Sequence, residues 1–140
     1  MPRFMFDTNI ISYTMKHPTT PLAERYRFMP ASDAWISSVV EAELRYGAAR
    51  LPREAKLHGL VEAALSSLTV ASWDSDCAKA HATLRNGLQK TGRSMTYADT
   101  MIGAHAIALN LVLVTNDFVF EDVPGLHAEF WAIEPGHSYR

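Results

Sequence analysis

One cysteine in 140 residues, Cys77, leaves no partner for an intrachain disulfide. It suits a reducing compartment such as the cytoplasm and reads as a small buried apolar residue. The strings that carry nucleotide, zinc or serine chemistry are missing too. There is no G-x-S-x-G elbow, no glycine-rich phosphate loop, no dinucleotide fingerprint, no H-E-x-x-H and no cysteine pair. The six histidines, His17, His58, His81, His105, His127 and His137, are scattered without ligand spacing. The longest apolar stretch, 101–114, is too short to span a bilayer and contains His105 and Asn110, so no membrane association is expected. Asp7 interrupts the first apolar run, so no signal peptide is expected. Repeats, low-complexity tracts and linker-like segments are also lacking.

A strong positive field is absent as well. The net charge of −2 argues against an obvious nucleic-acid binder, whose affinity would rest on such a field. Its distribution says more. Between Arg3 and Arg93 there are twelve basic residues, whereas 94–139 has none and holds Asp99, Asp117, Glu121, Asp122, Glu129 and Glu134. A basic half beside an acidic half is compatible with a polyanion held by one part and a cation by the other. An ordinary solvated surface with uneven charge fits equally well.

What is present is enough apolar content, 48%, for one domain over 1–140 with a real core. Strands are expected at 3–6, 34–37 and 111–115, with a weak edge strand at 68–71 and a last one at 129–133. Helices are expected at 8–15, 21–28, 38–50, 53–68, 74–90 and 96–109, with 118–126 a loop. The helix at 38–50 carries the apolar stripe Val40, Leu44, Gly47, Ala48 and Leu51, and that at 53–68 turns Leu57, Leu60, Val61, Ala64, Leu65 and Leu68 inward. The helix at 96–109 is apolar almost all round, and its His105 reads as a satisfied core residue. Strands alternating with helices predict a three-layer α/β/α domain with a mostly parallel sheet.

In that architecture four carboxylates fall at one sheet edge. Asp7 follows the first strand, Asp117 follows 111–115, Glu43 lies near the start of the helix after 34–37, and Asp99 opens the helix at 96–109. Local alternatives exist for each. Asp7 could cap a helix, Asp117 could be a turn residue in competition with Glu121 or Asp122, and Thr96-x-x-Asp99 is a variant capping box. Glu41 and Arg45 are spaced as a solvent-facing pair, which leaves Glu43, beside the apolar stripe, as the inward acid. Several carboxylates in one cleft must take up protons or bind a cation. Oxygen-only ligands select a hard ion, Mg²⁺ or Mn²⁺, which activates water and polarises a phosphoryl oxygen.

Four segments, taken in order, resemble the PIN-domain ribonucleases, specifically the VapC-type toxins of bacterial toxin–antitoxin pairs. They are Phe6-Asp7-Thr8-Asn9-Ile10-Ile11, then Ile36-Ser37-Ser38 leading into Glu43-Leu44-Arg45-Tyr46-Gly47-Ala48, then Ala98-Asp99-Thr100-Met101-Ile102-Gly103-Ala104-His105-Ala106, and Leu113-Val114-Thr115-Asn116-Asp117 with Phe120 and Pro124-Gly125-Leu126. The resemblance implies a metal-dependent endoribonuclease with Asp7, Glu43 and Asp99 as its acidic core and Asp117 as a more variable fourth acid. Metal would fall to Asp7, Asp99 and Asp117, with Thr8, Asn9, Thr115 and Asn116 in support. It further implies an antitoxin protein as partner, a homodimer, and structured RNA such as transfer RNA as substrate. Backbone-binding cations would come from Arg45, Arg50, Arg53, Lys56, Arg85, Lys90 and Arg93. Phe130 departs from the pattern, standing before Trp131 where a polar residue is common. Two other readings compete: a dehalogenase-like phosphohydrolase with Asp7 as nucleophile, against which Asn9 stands where a second acid belongs, and a non-catalytic partner-binding module.

Overall fold

The computed structural model describes residues 3–131. In chain order the elements are β1 (Phe4–Phe6), α1 (Thr8–Lys16), α2 (Pro21–Arg27), β2 (Ala34–Ser37), α3 (Ser38–Ala49), α4 (Lys56–Ser66), β3 (Thr69–Ala71), α5 (Ser75–Lys90), α6 (Tyr97–Leu109), β4 (Val112–Thr115) and β5 (Ala128–Phe130). A 3₁₀ turn, Phe118–Phe120, lies between β4 and β5.

Side-chain oxygens fix most helix starts. Asp7, Thr20, Ser37, Asp74 and Thr96 each accept a backbone N–H at the head of α1, α2, α3, α5 and α6, which satisfies donors that a helix end leaves unpaired. Helix α4 has no such cap and starts at Lys56 rather than at 53, because the Ala55 N–H turns back to the Pro52 carbonyl at 3.0 Å. Helix α6 ends at Asn110, whose φ of 55° is left-handed, a conformation that asparagine tolerates better than most residues.

The five strands pair in parallel in the order β3, β2, β1, β4, β5. Met5 and Phe6, like Leu113 and Val114, are 0% exposed. Successive strand side chains point to opposite faces, so burial of both members of each pair means that helices cover both sides of the sheet. The three-layer α/β/α expectation is met, with a sheet parallel throughout and β3 at one edge.

Four details differ from the sequence reading. Leu51 and Leu60, expected inward, are 42% and 40% exposed. Leu51 lies past the end of α3, which stops at Ala49, and Leu60 stands at the border of the α4 stripe, where the helix surface turns to solvent. His105 is only half satisfied: its Nδ1 meets the Ser37 hydroxyl at 2.7 Å, and its Nε2 has no partner among the described residues. The last strand is Ala128–Phe130, one residue earlier than expected, and 132–133 lie outside the described residues. The strand expected from 68 begins at Thr69, with Leu68 buried just before it. Among the described residues no helix is long and apolar enough to cross a membrane.

Candidate active site

From β1 the chain proceeds through β2 to β3 on one side of the sheet, and β4 and β5 lie on the other, so the order reverses between β1 and β4. The carboxyl ends of strands on either side of such a reversal border a crevice, because their following segments diverge to opposite faces. Asp7 leaves β1 there, and Thr115, Asn116 and Asp117 leave β4 beside it. The Asp7 N–H donates to the Val114 carbonyl at 3.0 Å, which locks the two strand ends together.

Asp7 is 3% exposed. Its Oδ1 accepts the Thr8 N–H at 2.8 Å and its Oδ2 accepts the Thr115 hydroxyl at 2.9 Å. These donors favour the ionised form. Burial outweighs them, and the negative charges of Asp99 and Glu43 add to it, so the carboxyl is pushed up to about 6 from an ordinary 3.8. The charges of Asp99 and Glu43 therefore act on a common point although they come from α6 and α3. Capping and clustering are not alternatives for Asp7, which does both.

Glu43 takes the Thr8 hydroxyl at 2.6 Å on Oε1, while Glu41 is occupied by Arg45 at 2.9 Å, as its spacing predicted. The expectation that Glu43 would be the inward acid is corrected: it is exposed, met by the first turn of α1 at the rim of the crevice instead of turned into the core. Asp99 is half-buried in the first turn of α6, where its N–H donates to the Thr96 hydroxyl at 3.1 Å. Asp117 joins through the backbone. Its N–H donates to the same Thr115 oxygen at 3.0 Å, and its Oδ1 accepts the Val119 N–H at 3.0 Å, so a turn role and a place beside Asp7 coexist.

Of the supporting residues, Thr8 and Thr115 touch the acids directly. Asn116 does not: its Nδ2 reaches the Trp131 carbonyl at 2.7 Å and braces β4 against the end of β5. None of the site's side-chain hydrogen bonds given above uses Asn9, which is half-buried one residue further along α1. Two of the expected backbone-binding cations are engaged elsewhere. Arg45 bridges Glu41 and Glu62, and Arg93 donates to the carbonyls of Val119, Glu121 and Asp122. Sequence reasoning missed Lys16. It lines, with Ser12, Glu43 and Arg50, a cleft of about 390 Å³. The signal was there, since Thr8, Ser12 and Lys16 recur every four residues along one face of α1.

No three histidine, cysteine or carboxylate side chains close into a ready metal cage among the described residues. The donors nonetheless fit a hard cation. All are oxygens, and the one that is buried is held charged only at a cost that a cation would remove. An open set of this kind suits an ion that keeps several of its waters.

The PIN domain model matches residues 4–126. The chain belongs to the PIN-domain family. This PIN domain is 34% identical over 133 residues to the tRNA(fMet)-specific endonuclease VapC of Shigella flexneri, a match that covers 94% of the chain and all of the relative. Its backbone is similar to that of DNA-bound VapBC from Salmonella typhimurium, with a TM-score of 0.86 at 34% identity over 94% of this chain and 100% of that one. A more distant likeness is to VapBC-5 from Mycobacterium tuberculosis, a member of the VapBC family of toxin-antitoxin systems, with a TM-score of 0.67 at 25% identity, covering 94% and 100%.

Proposed function

We propose that this PIN domain, a single unit over 1–140, is a divalent-metal-dependent endoribonuclease acting in the cytoplasm as the toxin of a toxin–antitoxin pair. The observation that carries the reading is the buried Asp7, held at the sheet's switch point against the charges of Asp99 and Glu43. PIN-domain ribonucleases are in general divalent-metal dependent. Here Asp7, Asp99 and Asp117 would hold Mg²⁺ or Mn²⁺, directly or through water. When bound, the ion lowers the pKa of water and neutralises charge developing on a phosphodiester.

The protein's own part is positioning and proton transfer. Thr8 fixes Oε1 of Glu43, which leaves Oε2 to orient the attacking water and take its proton. Thr115 holds Asp7 and the backbone of Asp117 through one hydroxyl, so the two acids keep a fixed relation. Lys16 and Arg50 beside Glu43 offer the RNA backbone positive charge on the basic side of the crevice. Hydrolysis in this sense yields a 5′-phosphate and a 3′-hydroxyl. The substrate is structured RNA, transfer RNA foremost, in keeping with the name of the Shigella flexneri relative. The partner is an antitoxin protein, in keeping with the VapBC neighbours, and the toxin is proposed to pair with a second copy of itself.

The test is incubation of the purified chain with bacterial transfer RNA, with and without Mg²⁺ or Mn²⁺, followed by mapping of the 5′ ends. Metal-dependent cleavage that falls more than about 100-fold in Asp7→Asn is expected, since loss of one group of a catalytic unit typically costs that much or more. An Asp7→Asn variant that cuts at the normal rate removes Asp7 from the mechanism. A phosphoryl group trapped covalently on Asp7 would point instead to a phosphohydrolase.

A further inference from the structure

Two phenylalanines stand in solvent beside the crevice. Phe118, the residue after Asp117, is 71% exposed, and Phe130, at the end of the edge strand β5, is 39% exposed. Their rings are stacked, with centroids 5.5 Å apart and planes 17° from parallel. Burial does not explain the pair, because most of the Phe118 surface still faces water at a cost set by its apolar area. Position is more telling. The Asp117 carboxylate caps Val119, which fixes the turn that bears Phe118, and Thr115 pairs in register with Phe130 while its hydroxyl holds Asp7. Both rings are thus set by residues that build the acid crevice.

Charge decides what this wall can hold. The segment 94–139 has no lysine or arginine of its own, and the two cations that reach it are engaged, Arg93 with the carbonyls of Val119, Glu121 and Asp122 and Arg25 with Glu129 and the face of Trp131, so the wall offers phosphates little positive charge. Lys16 and Arg50 line a cleft with Glu43 at α1 and α3, whereas Phe118 and Phe130 belong to the β4–β5 side of the sheet. An RNA strand with its backbone on that basic side presents its bases to the aromatic side, and an unpaired base has a flat apolar face that stacks on an aromatic ring whatever its sequence.

We propose that Phe118, backed by Phe130, is a stacking platform for an unpaired nucleobase next to the scissile phosphate, so that this wall selects single-stranded or looped RNA. The inference rests on the ribonuclease reading. The experiment compares full-length wild type, Phe118→Ala and Phe118→Trp on a synthetic RNA copied from the stretch of transfer RNA in which the wild type's cut site is mapped. A second substrate carries an abasic residue at the flanking nucleotide. Phe118→Ala raises KM about tenfold, within the range for losing one base–aromatic stack, with kcat changed less than about twofold. Phe118→Trp restores the wild-type KM. The abasic substrate raises the wild-type KM by a similar factor and is insensitive to Phe118→Ala. Unchanged KM in Phe118→Ala overturns the platform and leaves the ribonuclease reading standing. A change in oligomeric mass in that variant, without the abasic coupling, makes the pair a protein interface and also overturns it. A wild type that cuts no RNA removes both readings.

Discussion

Asp7 is kept ionised by two hydrogen-bond donors in a place where burial and two neighbouring carboxylates favour its protonated form. Its folded carboxyl titrates near pH 6 and its unfolded one near 3.8, so between these values the folded chain binds the extra proton. The sign follows from linkage: the cost of the charge is full above pH 6, fades as pH falls through that value, and is gone below 3.8. The gap corresponds to about 3 kcal/mol. Urea denaturation of the metal-free protein should therefore show wild type gaining about 2–2.5 kcal/mol relative to Asp7→Asn between pH 7 and pH 4. A difference that stays flat with pH contradicts the burial of Asp7. Thr8→Val removes the donor from Glu43 at a half-exposed position. Its melting should shift by no more than about 0.5 kcal/mol, while kcat falls about tenfold through loss of orientation. At this scale the sequence was readable where spacing is local. The Glu41–Arg45 pairing turned Glu41 away and left Glu43 for the Thr8 hydroxyl, and the Thr96 cap placed Asp99 in the first turn of α6. The exposure of Glu43 was not readable, because helix periodicity locates a side but says nothing of what a separate helix leaves open above it.

The segment after β4 carries Asp117 and Phe118 and has little regular structure, and it is held from α5's far end. Arg93 sends its guanidinium to the carbonyls of Val119, Glu121 and Asp122 across 26 to 29 residues. Charge-assisted bonds to three acceptors that would otherwise lose their partner contribute more than a surface ion pair. Arg93→Ala should lower stability by about 1–3 kcal/mol and speed amide exchange at Phe120 and Glu121, with exchange in β1 unchanged. Unaltered exchange at those amides would mean that the turn stands without the clamp. Nothing local distinguishes Arg93 from a solubilising arginine or an RNA contact. Its acceptors are backbone groups far along the chain, which no composition or period encodes. Helices were more legible than such contacts, since α1, α2, α3, α5 and α6 each begin at a residue whose side chain caps it. Where that signal is missing, at α4, the expected start was three residues early.

Across the whole molecule, the alternation of strands and helices was sufficient to expect a parallel three-layer domain, and the carboxyl ends of β1 and β4 then had to share an edge. The strand order was not legible, because apolar runs such as Val112–Thr115 and Phe4–Phe6 announce burial on both faces without naming their neighbours. The reversal between β1 and β4 opens the crevice in which Asp117 is tied to Asp7 through Thr115 and the charges of Asp99 and Glu43 also act on Asp7. Such a crevice calls for a cation, and a ligand that binds only the folded chain stabilises it by mass action. The most direct test is a thermal melt at pH 7 in chelator and in 1,000 times the Kd of Mn²⁺, for wild type and Asp7→Asn. Mn²⁺ should stabilise wild type by about 4 kcal/mol and leave Asp7→Asn unmoved. Equal stabilisation of both proteins, or of neither, would contradict it.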